Sequence, residues 1–76
     1  MNREDFATLV KGKTEDEVLK NTGKPQAKDE QNDRHVWTYT SRTFDVSHQN
    51  KMDDKTIVIF TPSSEGKFTV AEVKFE

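Results

Sequence analysis

The chain predicts a small α+β domain, with two short N-terminal helices packed on one face of a three-stranded antiparallel sheet. Three observations carry this. Phe6, Leu9 and Val10 recur at i, i+3 and i+4, the spacing of one helical face. The run from Lys11 to Pro25 holds a second helix with a start and a stop signal at its ends. From Arg34 onward the apolar residues fall in short stretches rich in Val, Ile, Thr and aromatics, which is strand composition. Strands that follow one another through short links pair antiparallel, and the helix pair covers one face of the resulting sheet.

The first helix spans about 3–11. Asn2 is placed to cap it, Glu4 and Asp5 lie in its first turn and Lys11 in its last, matching the helix dipole. Gly12 ends it, and the link Gly12-Lys13-Thr14 is short enough to force a tight helix pair. The second helix spans about 15–22. Thr14 and Glu17 have the three-residue spacing of a capping box, and Val18 and Leu19 supply the buried stripe. Gly23 suits the left-handed position after the helix, and Pro25 forbids continuation.

Residues 26–33 read as a polar connection. The first strand, about 34–41, has Val36, Trp37 and Tyr39 as its bulk, and the alternation of Phe44 and Val46 lets it run on past a bend. Residues 48–54 read as a polar loop. The second strand, about 55–61, leads through Pro62-Ser63-Ser64-Glu65-Gly66 into the third, about 67–75, with Gly66 as the turn residue of positive φ. Phe68 and Val70 share one parity of that strand, Val73 and Phe75 the other. Either a bulge lies near Ala71-Glu72 or both faces carry apolar groups.

With 76 residues the chain is one domain, 1–76, and its core is small. Charged residues make up 34% and the net charge is −2. Acidic and basic residues interleave, so nucleic-acid binding lacks its electrostatic footprint. No apolar run reaches the roughly 18 residues of a membrane span. The absence of cysteine removes disulfides, zinc–thiolate sites and thiol catalysis together. The opening Met1-Asn2-Arg3-Glu4-Asp5 does not have the pattern of a signal peptide, which leaves a cytoplasmic protein or the mature part of an envelope protein.

Gly12, Thr14, Val18, Leu19, Gly23, Pro25, Trp37 and Tyr39, with the closing Ile57-Val58-Ile59-Phe60, Gly66-Lys67, Val70 and Val73, carry a resemblance. In this order they resemble the SmpA/OmlA (BamE-like) domain, a family of small lipoproteins of bacterial outer-membrane protein assembly, and more distantly the repeat of the beta-lactamase inhibitory protein. The resemblance runs from Phe6 to Phe75. It implies an ααβββ fold, a non-enzymatic scaffolding role, protein partners, and a place in the periplasm at the inner face of the outer membrane. The family's lipid-anchored N-terminal cysteine has no counterpart here.

The residues point to a binding surface by a separate route. Ile57-Val58-Ile59-Phe60 places two apolar side chains on each sheet face, and the helices cover only one. Burying two such side chains stabilises by about 3–6 kcal/mol, so the second face calls for a cover. The candidates are a protein partner, a second copy of the chain, or Phe44 and Val46 folding back from the segment 41–54. Tyr39, Val58 and Phe60 are the residues expected at a protein-binding face, and Trp37 is expected in the core. An inhibitor-like module that offers this face to an enzyme, and a cytoplasmic protein that dimerises through it, are the alternatives.

Chemistry finds less support. Asp45, Ser47 and His48 bring together carboxylate, hydroxyl and imidazole, but a triad is a matter of geometry, and sequence neighbours in an extended loop point apart. His35 with Asp33 falls short of the three or four ligands of a zinc site. Asp29, Glu30 and Asp33, like Asp53 and Asp54, lack the spaced oxygens and central glycine of a calcium loop. Gly12-Lys13-Thr14 imitates the end of a phosphate-binding loop without its preceding glycine and strand. No catalytic residue, metal or cofactor is therefore assigned.

Overall fold

In the computed structural model, which describes residues 1–76, Asn2 caps the first helix, α1 (Arg3–Val10), its Oδ1 accepting from the Asp5 amide at 2.7 Å. The second helix, α2 (Glu15–Thr22), opens with the expected capping box. The Glu17 amide donates to Thr14 Oγ1 at 3.3 Å, and the Thr14 amide donates to Glu17 Oε1 at 3.0 Å. These bonds hold the Glu17 carboxyl below its ordinary pKa, the backbone bond from Thr14 contributing most. Gly23 ends α2 at φ +82°, a conformation side chains resist, and its amide donates to the Leu19 carbonyl at 2.9 Å.

The strands are β1 (Ala27–Gln31), β2 (Arg34–Thr40), β3 (Phe44–Asp45), β4 (Lys51–Met52), β5 (Lys55–Pro62) and β6 (Phe68–Phe75). The main sheet is antiparallel with four strands in the order β1-β2-β5-β6, while β3 and β4 form a separate two-stranded ribbon. The expected three strands are β2, β5 and β6. The fourth, β1, occupies what reads as a polar connection, and it forms a hairpin with β2 through Asn32 and Asp33, pairing Gln31 with Arg34 and Ala27 with Thr38. All five of its residues are exposed, so the sequence Ala-Lys-Asp-Glu-Gln has neither alternation nor strand propensity. Its strand geometry comes from pairing to β2, and its charges suit an edge.

The parity conflict in the last strand resolves as a bulge. Ile59 pairs with Glu72 and Phe60 with Val70, which leaves Ala71 unopposed. The slip turns Phe68, Val70, Val73 and Phe75 all to one face, since their partners Pro62, Phe60, Val58 and Thr56 alternate along β5. That face meets the helices. Its core is Phe6 and Val10 from α1, Val18 from α2, Trp37 and Tyr39 from β2, Val58 and Phe60 from β5, and Val70 from β6. Phe6 meets Tyr39 edge-on at 5.5 Å, and Trp37 tilts over Phe60 at 4.6 Å. Trp37 is core, as its bulk suggests.

The segment between β2 and β5 does not cover the sheet. A 3-10 turn over Val46–His48 links β3 to β4, and Ser41, Gln49 and Asn50 take positive φ to fold the segment tightly. It sits at the start of α1, where the Phe44 amide donates to the Met1 carbonyl at 3.0 Å. Val46 is 60% exposed.

Candidate protein-binding face

The registers define the face of the sheet that the helices leave bare. Reading across β1, β2, β5 and β6, its central rows are Ala27, Thr38, Ile57 and Lys74, then Asp29, Val36, Ile59 and Glu72, then Gln31, Arg34, Thr61 and Thr69. Val36, Ile57, Thr38, Thr61 and Thr69 are half-buried, and Asp29, Arg34, Lys55, Glu72 and Lys74 stand exposed around them. Ile59 is 7% exposed yet does not belong to the core cluster. It lies between its ladder partners Val36 and Glu72, on the parity of β5 opposite to the helix-facing Val58 and Phe60. The surface is an apolar centre within a polar rim, the arrangement common to protein interfaces.

Tyr39, Val58 and Phe60 require correction, because all three are 0% exposed. Val58 and Phe60 point at the helices, and the bare face holds the other parity of β5, Ile57 and Ile59. A run of four apolar residues cannot say which parity is which. Trp37 could have decided it, since Val58 lies directly across the ladder from Trp37 and shares its face. Tyr39 is not on a binding face but in the core. Its hydroxyl donates to the Gly23 carbonyl at 2.9 Å and shares a 3.1 Å bond with Thr22 Oγ1, tying the C-terminus of α2 to β2. Burial pushes its pKa up. Arg42 stacks on the Tyr39 ring at 5.0 Å and donates to the Thr22 carbonyl, satisfying a second helix-end acceptor.

Beyond the end of the sheet, Asp45, Ser47 and His48 do meet, within a polar cluster. Ser47 Oγ donates to Asp45 Oδ1 at 2.7 Å, and the Ser47 amide donates to the same atom at 3.0 Å. His48 Nδ1 lies 2.6 Å from Asp45 Oδ2 and 3.2 Å from Ser47 Oγ. A triad needs its serine on one imidazole nitrogen and its carboxylate on the other. Here both sit on Nδ1, and the serine proton is already given to Asp45, so the trio caps the 3-10 turn. The Ser47 hydroxyl, then His48 and Arg3, hold the Asp45 carboxyl down to about 2.

Arg3 joins this cluster to the core. Its Nε and Nη2 grip Asp53 at 3.0 and 2.5 Å, and its Nη1 lies 3.3 Å from Asp45. Asp53 also accepts from Thr43 Oγ1 at 2.7 Å, and Thr43 bonds Thr56 at 2.6 Å on the helix-facing side of β5. The Arg3 guanidinium, hydrogen-bonded to Asp53, holds that carboxyl below its ordinary range. A cleft of about 270 Å³ beside the cluster is lined by Arg3, Asp45, His48, Lys51 and Asp53 among others. Arg3, Asp45, His48 and Asp53 in its wall are bonded into one network that holds the fold.

The chain matches no family model, no curated protein and no solved structure. No helix is long and apolar enough to cross a membrane.

Proposed function

We propose that this domain is a non-catalytic protein-binding module, and that its working surface is the helix-free face centred on Ile59, Ile57 and Val36. The carrying observation is Ile59, a buried aliphatic residue outside the helix-side core, set in a face that no segment of the chain covers. A second support is the saturation of the polar cluster beyond the end of the sheet, where Asp45, Ser47, His48, Arg3, Asp53 and Thr43 are bonded to each other. The resemblance to SmpA/OmlA domains extends the proposal to an accessory role in outer-membrane protein assembly, on the periplasmic side. The residues that carry it, Thr14, Gly23, Trp37 and Tyr39, start, stop and bury α2, and so support a shared scaffold more directly than a shared partner.

The test pairs substitutions on the two faces. Domain purified with its bound proteins from the native host after chemical cross-linking should lose its specific partner when Ile57→Lys is introduced, while melting as the wild type does. Lys20→Glu, on the outer side of α2, should leave the partner in place. Retention by Ile57→Lys, or loss by Lys20→Glu, rejects the assignment of the face.

A further inference from the structure

Three side chains from three elements converge beside the start of α2. His35 lies near the start of β2, Glu30 faces it across the β1–β2 ladder, and Glu15 is the first residue of α2. Their donor atoms all lie within 4.8 Å of one another. Glu15 Oε2 is 2.9 Å from His35 Nδ1, and Glu30 Oε2 is 3.7 Å from His35 Nε2. The imidazole is 15% exposed and lies flat on the Phe68 ring, 3.7 Å between centroids and 6° between planes. We propose that this cluster binds a divalent ion of the zinc class.

Charge is the first argument. Both carboxylates face one imidazole, and neither forms an ion pair with a lysine or arginine. With a neutral imidazole the cluster carries two negative charges, which a divalent cation balances. Geometry is the second. The Glu15 carboxylate can only accept, so its bond puts a proton on Nδ1, and in the neutral ring the Nε2 lone pair is then free. A separation of 3.7 Å from Nε2 to Glu30 is too long for a hydrogen bond. It suits two ligands that each lie about 2.0–2.2 Å from a shared ion. His35 Nε2 and Glu30 then ligate directly and water completes the coordination, an open site with fewer protein ligands than the three or four of a structural or catalytic zinc centre. Glu15 orients the ring from behind, as carboxylates behind metal-bound histidines do. Phe68 keeps the ring from turning. An imidazole nitrogen beside carboxylates favours zinc and its neighbours over magnesium or calcium, which take oxygen ligands.

Zinc chloride titrated into the purified domain near neutral pH, followed by calorimetry and thermal melting, tests this. The expected result is one saturable equivalent that raises the melting temperature and is reversed by a chelator. His35→Gln and Glu30→Gln should each abolish it. Glu15→Gln should weaken it by roughly tenfold or more. His48→Ala, at the separate Asp45 cluster, should bind as the wild type does. Glu30 is 68% exposed, so Glu30→Gln decides the matter even where His35→Gln fails to fold. Absence of saturable binding, retention by Glu30→Gln, or loss in His48→Ala overturns the site; the last would mark an adventitious ion at the other histidine.

Discussion

Ile59 and Phe60 are neighbours with opposite duties. Phe60 fills the core against Trp37, and Phe60→Ala should cost about 3–5 kcal/mol in urea unfolding, from lost transfer energy and the cavity left behind. Ile57→Lys, on the bare face, should cost under about 1 kcal/mol by the same measurement, since it touches no core contact. Reversal of that ranking would reverse the faces. Tyr39→Phe removes the donor to the Gly23 carbonyl and leaves Thr22 Oγ1 with its Val18 bond alone, and should cost about 1–2 kcal/mol. Residue identity made Trp37 legible as core, because so large a side chain has nowhere else to go in a small domain. Tyr39 reads as a binding-face residue because tyrosine is common at interfaces, whereas its hydroxyl finds the last hydroxyl and a carbonyl at the end of α2. Residue spacing sets His35 beside Asp33, its near neighbour in sequence. Its partners, Glu15 and Glu30, are brought to it by α2 docking and by the β1–β2 hairpin, neither of which is visible from residue spacing.

At the scale of elements, the helices were legible nearly to the residue because their ends are chemically marked. Thr14→Ala removes one half of the capping box and should cost about 1 kcal/mol by thermal or urea unfolding. The bulge was legible as a conflict: Phe68 and Val70 disagree in parity with Val73 and Phe75, and only an extra residue lets all four meet the helices. Deleting Ala71 removes the unopposed residue and should restore a regular ladder that keeps Phe68, Val70, Val73 and Phe75 on the helix face. The expected outcome is retained cooperative unfolding and dispersed amide NMR signals, and a deletion variant that loses both would contradict the register on either side of the bulge. The strand β1 was illegible for a physical reason. An exposed edge strand buries nothing, so it leaves no hydrophobic pattern, and only the short Asn32-Asp33 turn before β2 hinted at a hairpin.

Over the whole molecule, Arg3 joins the start of α1 to the segment between β2 and β5 through Asp53 and Asp45. Both carboxyls titrate below an unfolded aspartate, whose pKa is about 3.9. A depressed folded pKa stabilises the fold above the unfolded value, and that stability is lost as pH falls through the folded one. Melting temperature should therefore fall below about pH 4, with the Asp45 share lost progressively between the unfolded value and its folded value of about 2. Asp53→Asn should melt lower than the wild type at neutral pH and respond less to acid; an unchanged acid slope would mean that Asp53 contributes nothing through its charge. The helices, the core and this network together occupy one side and one end of the sheet, which leaves the Ile59 face as the broad surface without an internal duty. Site-specific photo-cross-linking in the native host tests that claim most directly, with the photoreactive residue placed at Thr38 or Thr61 on the bare face and at Thr8 or Lys20 on the outer side of the helices. The account predicts a discrete adduct from the two sheet positions and none from the helix positions, and adducts from the helices with a silent sheet would contradict it.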